Sequence, residues 1–324
     1  MPLLRFLPEA TSLDFVRWRW WAIGVDSFLT LAAVVAIATM GFNLGLDFTG
    51  GAQVEVRAKQ TIDLAQMRSD VESLGFGHPV ISTFGGGACD NPPGSCAVIR
   101  VQPQVAEGAD VNKANQAVVQ AIRDKLGSFY TFSNTEMIGP KVSGELFRDG
   151  VWATVLAVVM IAVWVWFRFE WQYGVAALVA TGHDVLVTAG FYSFFQWEFN
   201  LNTVAALLLL AGYSINDTVV VFDRIRENRR KYKRMSLADL INLSTNQILT
   251  RTILVSGSTA LAVIPLLFGG AVLLNFSLPI LIGIVVGTFS SIYVASMLLL
   301  FMPAVGGRTG GGEKDSKDTA AAPA

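Results

Sequence analysis

Asn202-Thr-Val-Ala-Ala-Leu-Leu-Leu-Leu-Ala-Gly-Tyr-Ser-Ile-Asn-Asp217-Thr-Val-Val-Val-Phe222 is the stretch whose reading decides the fold. From Thr203 to Phe222 the chain runs 20 residues with one formal charge. At 1.5 Å per residue that length is about 30 Å, the thickness of a bilayer's hydrocarbon core. A carboxylate at that depth costs at least ~2.5–3.5 kcal/mol on insertion scales. Such a group persists where it has a task or a partner. The simplest task is to bind and release a proton, which makes Asp217 the first candidate site residue. The alternative is a hydrogen-bond anchor between helices.

The whole chain agrees with a membrane setting. Of 324 residues, 52% are hydrophobic and 15% charged, against about 25% charged in soluble domains. A net charge of −1 argues against a nucleic-acid partner, which would require a strongly basic face. The two histidines, His78 and His183, leave any zinc site with Cys89 and Cys96 short of a ligand. No Gly-x-x-x-x-Gly-Lys-Ser/Thr loop is present, so ATP is not the expected energy source. No cofactor is expected; the coupling ion would be the proton, each charge releasing ~2.3 kcal/mol per 100 mV.

Six apolar stretches read as transmembrane helices: 21–41, 151–167, 174–195, 203–222, 252–268 and 276–301. The first has an apolar run too long for a cleaved signal peptide and reads as an uncleaved anchor. Arg17, Arg19, Arg168, the basic residues of 223–251 and those of the tail lie in one set of loops. The connections Gln196–Asn202 and Gly269–Asn275 carry no Lys or Arg. Both termini are therefore expected in the cytoplasm. Residues 1–20 form a cytoplasmic N-terminus, 149–302 a five-helix transmembrane domain, and 303–324 a disordered cytoplasmic tail. Residues 42–148 form an outside, periplasmic domain. All eight Trp fall near span ends, as in an aromatic belt.

The outside segment reads in the order β-α-β-β-α-β: strands at 52–58, 79–84, 97–101 and 129–138, helices at 63–74 and 111–126. That order predicts an α+β ferredoxin-like (split βαβ) domain. Cys89 and Cys96 both lie in the Gly- and Pro-rich connection between the middle strands. In an oxidising compartment a disulfide between them would contribute about 2.5 kcal/mol; two free thiols are the alternative.

In 223–251, Ser236 reads as a helix cap. Leu237, Leu240, Ile241, Ile248 and Leu249 have helical spacing. This predicts an amphipathic helix on the membrane surface, with Arg229–Arg234 near anionic lipid headgroups. The same helix could dock a partner.

Near Asp217, Arg251 opens the next span. Bending inward, its guanidinium would favour the ionised carboxylate while burial favours the neutral acid, and a group pulled both ways can load and unload a proton. Snorkelling at the boundary is the alternative. Asn216, Ser214 and Tyr213 offer polar atoms on the same helix. His183 and Asp184, midway along the third span, could extend a proton path or lock helices as a static pair. Asp26 reads as a boundary charge. Gly283-Ile-Val-Val-Gly287 and Ser256-Gly-Ser-Thr259 read as packing motifs; Pro265 and Pro279 read as kinks.

Three segments carry a resemblance. Gly45-Leu-Asp-Phe-Thr-Gly-Gly51 is similar to the signature of the SecD/SecF family, in Gly45, Asp47, Gly50 and Gly51. Gly212-Tyr-Ser-Ile-Asn-Asp-Thr-Val-Val-Val-Phe-Asp-Arg-Ile-Arg-Glu-Asn228 resembles that family's fourth helix, and Gly139-Pro-Lys-Val-Ser-Gly144 its approach to the second. One helix, an outside domain and five more helices resemble half of a resistance-nodulation-division exporter. The resemblance implies a bacterial inner-membrane subunit that pairs with SecD and assists the SecYEG channel. It implies use of the proton motive force to promote export of unfolded polypeptide after ATP-driven translocation, a transport role and not an enzyme. On this resemblance Asp217 matches the family's proton-pathway aspartate and Arg251 its basic residue, with Asn216 beside them. The Cys-bearing insert at 85–96 departs from the pattern. A stand-alone lipid or small-molecule exporter of the same superfamily, and an intramembrane aspartyl protease using Asp184 and Asp217, are the rival readings.

Overall fold

The computed structural model describes residues 11–84, 89, 91–102, 111–268 and 271–303. The expected disordered tail, from 304 onward, lies outside these residues, as does most of the connection before Cys89.

Among the described residues six helices are long and apolar enough to cross a membrane by length and composition. They lie in α1 (Arg19–Met40), α5 (Pro140–Arg168), α6 (Trp171–Phe195), α7 (Leu201–Lys231), α8 (Leu237–Val263) and α9 (Ala271–Ser290). A 3₁₀ turn, Ile264–Phe268, extends α8. A π-helical turn, Ser291–Ala295, joins α9 to α10 (Ser296–Phe301). Pro265 falls in the 3₁₀ turn and Pro279 inside α9.

Between α1 and α5 lies a small sheet domain. Its elements are β1 (Asn43–Leu44), α2 (Leu46–Thr49), β2 (Gly51–Arg57), α3 (Leu64–Glu72), β3 (Val80–Thr83), β4 (Cys96–Val101), α4 (Val111–Leu126) and β5 (Thr131–Ile138). Four strands form one antiparallel sheet in the order β3-β4-β2-β5. β2 alternates because Ala52, Val54 and Val56 face the helices. They pack with Ile81, Ile99, Met67, Val71, Val118 and Ile122 in one closed core. Asp63 caps α3, its Oδ1 accepting from the amides of Ala65 and Gln66. Cys89 and Cys96 form a disulfide, with Cα atoms 5.3 Å apart.

The helices are set by caps and close crossings. Asn200 and Thr203 make a reciprocal capping box at the start of α7. Ser236 caps α8, accepting from the amide of Asp239 at 3.1 Å. The Gly283–Gly287 motif is where α9 meets α7. A Cβ at Gly283 would lie 2.1 Å from Leu210 Cδ1, so the glycine leaves the space in which the Leu210 side chain seats against α9.

The expected surface helix is corrected. α7 continues to Lys231, and α8 runs unbroken from Leu237 through the expected fifth span. Leu240, Ile241, Ile248 and Leu249 are buried, and the last three join a core with Phe15, Phe222 and Ile225. The apolar stripe meets protein and not headgroups, because both long helices extend together. Asn228 Nδ2 donates to Ser244 Oγ at 2.9 Å and to Gln247 Oε1 at 2.8 Å. The segment before α1 lies along α8, the amides of Leu13 and Phe15 donating to Asn246 and Asn242.

A candidate proton-carrying site within the helices

Asp217 lies sixteen residues into α7, about 24 Å from its start. Its half-buried carboxylate accepts two hydroxyl hydrogen bonds, from Thr252 Oγ1 at 3.0 Å and Ser291 Oγ at 3.3 Å. Thr252 comes from α8 and Ser291 from the π turn, so three elements converge on one side chain. Arg251, expected to pair with Asp217, makes no ion pair with it among the described residues. It is exposed and lines a cavity of about 490 Å³ with Arg168, Asp223 and Arg224. The reason is geometric: Thr252, the residue after Arg251, faces the α7 carboxylate, and the side chain before it points away around the helix.

Asn216 is exposed on α7 and turned away from the bundle. Tyr213 donates to Ser256 Oγ at 3.2 Å, and Ser256 bonds Thr288 Oγ1 at 2.8 Å. The Ser256 stretch therefore ties α7, α8 and α9 together, in keeping with a packing role.

His183 and Asp184 are both buried, with His183 Nδ1 3.1 Å from Asp184 Oδ1. Asp184 Oδ2 accepts from Ser214 Oγ at 2.5 Å and Ser290 Oγ at 2.8 Å. Ser214 thus serves Asp184 and not Asp217. The two carboxylates accept from different hydroxyls, Ser214 and Ser290 for Asp184 and Thr252 and Ser291 for Asp217.

Asp26 is corrected from a boundary charge to a buried group. Its Oδ1 lies 3.5 Å from His183 Nε2. Its place one and a half turns into the first span disguised it; a register match between α1 and α6 is what buries it.

The signature segment is a joint between the sheet domain and α7. β1 pairs in parallel with β6 (Glu198–Phe199). The Gly45 amide donates to Phe199 O at 2.8 Å, and Asp47 Oδ2 accepts from the Leu201 amide at 2.8 Å. Asp47 therefore places negative charge at the N-terminus of α7, which the helix dipole favours. Gly51 has φ +116°, and a Cβ there would sit 2.6 Å from Val101 O. From β4, Arg100 reaches Gln53 Oε1 at 2.8 Å and forms an ion pair with Glu198. No local sequence pattern marks this last pair.

Fold and site define a multi-pass membrane protein with acids held by hydroxyls inside its helix bundle. The family profile described as "Protein export membrane protein SecD/SecF, C-terminal" matches residues 118–304, and the SecD/SecF GG motif matches 35–62. Protein translocase subunit SecF of Rhodobacter capsulatus is 41% identical over 310 residues, 92% of this chain and 91% of that protein. That of Escherichia coli O157:H7 is 40% identical over 289 residues, 89% of this chain and 87% of that protein. The crystal structure of SecDF, a translocon-associated membrane protein from Thermus thermophilus, superposes with a TM-score of 0.79 at 33% identity, covering 91% of this chain. SecDF in a super-membrane-facing form gives 0.64 at 34% identity, covering 93%. This chain spans 39% of the length of either SecDF chain. The chain belongs to the SecD/SecF family of protein-export membrane proteins.

Proposed function

We propose that this chain is an accessory subunit of the Sec protein translocase. With SecD it uses the proton motive force to promote export through SecYEG after the ATP-driven step. It works as a transport subunit, with both termini in the cytoplasm and the sheet domain in the periplasm. The sheet order β3-β4-β2-β5 with two helices on one face supports reading that domain as ferredoxin-like.

The observation that carries the mechanism is the partner set of Asp217. A guanidinium in contact would hold the carboxylate ionised. Thr252 and Ser291 bring hydroxyls, which donate to a carboxylate and accept from a carboxylic acid. Both protonation states can therefore be satisfied in place, and Arg251 contributes its field from a distance. Proton loading would change which groups donate, and the π turn that carries Ser291 is an irregular, adjustable stretch of helix. The start of α7 is gripped by Asp47, β1 and the Arg100–Glu198 pair, so motion of α7 is delivered to the sheet domain.

The test is Asp217→Asn in inverted membrane vesicles containing the translocase. The variant is expected to assemble with its partner subunit and to lose the gradient-dependent part of export. Full gradient-dependent export at equal abundance would overturn the proposal.

A further inference from the structure

The groove between α1, α6 and the C-terminal turn has a volume of about 680 Å³ and is walled mostly by apolar side chains. Two titratable groups lie at its floor, Asp26 and His183. Both are more than nine-tenths buried, and among the described residues neither carboxylate oxygen of Asp26, nor His183 Nε2, has a hydrogen-bond partner. Such groups cost free energy unless their protonation or geometry changes to satisfy them.

Their juxtaposition is built into the helix register. A Cβ at Gly190 would lie 2.3 Å from Ala33 Cβ, so α1 and α6 touch there. Asp26 lies seven residues before Ala33, and His183 seven before Gly190. Two turns down from the contact, the same faces of both helices meet again. The groups facing Asp26 are His183 and, beyond it, Asp184 from α6, with Tyr293 of the π turn also lining the groove.

We propose that Asp26 and His183 form a second proton-carrying pair, joined to the Asp217 site through Asp184 and the π turn. The exchange balances with no outside reagent. Protonated Asp26 gives its proton to His183 Nε2. His183 gives its Nδ1 proton to Asp184 Oδ1. The imidazole stays neutral in its other tautomer, Asp26 becomes a carboxylate and Asp184 a carboxylic acid. The Nδ1 side is already at 3.1 Å, whereas the Nε2 side, at 3.5 Å, must close by about 0.5 Å to reach hydrogen-bond distance. Consecutive residues then connect the two acids: Ser290 donates to Asp184, and Ser291 to Asp217. A change at either acid moves the other's hydroxyl. Only the pair's purpose in export rests on the proton role of Asp217.

The test uses the full chain in lipid bilayers with ¹⁵N-labelled histidine. His183 is one of two histidines, and the other, His78, has a fully exposed side chain and serves as the internal reference. In the wild type the His183 ring nitrogens are expected to change protonation state with pH. Asp26→Asn should displace that change by about one pH unit or more, and Asp217→Asn should displace it by a smaller amount, with His78 unmoved. A His183 signal fixed in one tautomer at every pH in the wild type overturns the proposal, whether or not Asp26→Asn folds. A changing signal that Asp26→Asn leaves in place also overturns it. Normal export by Asp217→Asn would sink the export mechanism and leave this result to stand or fall alone.

Discussion

Replacing Gly190 with alanine should force α1 and α6 apart, and Gly182→Ala on the same helix supplies the control. The new Cβ at 190 would meet Ala33 Cβ at 2.3 Å and Ala33 Cα at 2.6 Å. Relaxed carbon contacts lie near 3.5–4.0 Å. Ala33 has no rotamer to yield, so the helices must separate by about 1 Å or more. Overpacking of this kind costs roughly 1–3 kcal/mol. Alanine also gains about 1 kcal/mol of helix propensity over glycine, so the net loss is about 0–2 kcal/mol. At Gly182 a Cβ meets nothing within 4 Å, and the propensity gain stands alone. The difference between the two variants removes the propensity and leaves the clash. In thermal unfolding of the detergent-purified chain, Gly190→Ala should melt about 2–6 °C below Gly182→Ala. Equal melting of both variants would refute the claim that this crossing is closed to a single methyl.

Arg100→Ala should loosen the joint between the sheet domain and the start of α7, and hydrogen exchange at the amides of Gly45 and Leu201 should quicken while overall stability falls by about 1 kcal/mol. Replacing Cys89 and Cys96 by serine should lower the stability of the sheet domain by about 2.5 kcal/mol, read as earlier proteolysis of residues 42–138. Burial, and secondarily Glu136, pushes the Glu55 carboxyl above its ordinary value. The folded state thus holds that proton more tightly than the unfolded state, and stability is lost as pH rises through the folded value. Glu55→Gln should therefore raise the melting temperature at pH 7 and leave it unchanged near pH 3. The gain should stay under ~1 kcal/mol, because the side chain is only part-buried.

Apolar length revealed the spans, and alternation revealed the strands, because both report burial along one element. Asp217 was legible for the same reason: one charge in a long apolar run. What escaped was set by how elements meet. Arg251 sits next to Thr252, and spacing alone could not say which of the two faces α7. Leu240 and Ile241 have the spacing of an amphipathic helix, and spacing does not distinguish a lipid surface from α7 and the segment carrying Phe15. Asp26 looked peripheral because its depth along α1 is small; the Gly190 contact on another helix is what places it against His183. The Arg100–Glu198 pair joins residues nearly a hundred positions apart, with no local pattern to mark it.

The central claim is that Asp217 alternates between acid and carboxylate while export proceeds. Its most direct test is time-resolved infrared spectroscopy of the membrane-embedded translocase during gradient-driven turnover, with the Asp217 carboxyl band assigned by its loss in Asp217→Asn. The account predicts a band that rises and falls with turnover and stays still when the gradient is collapsed. A band that stays constant through turnover would contradict it.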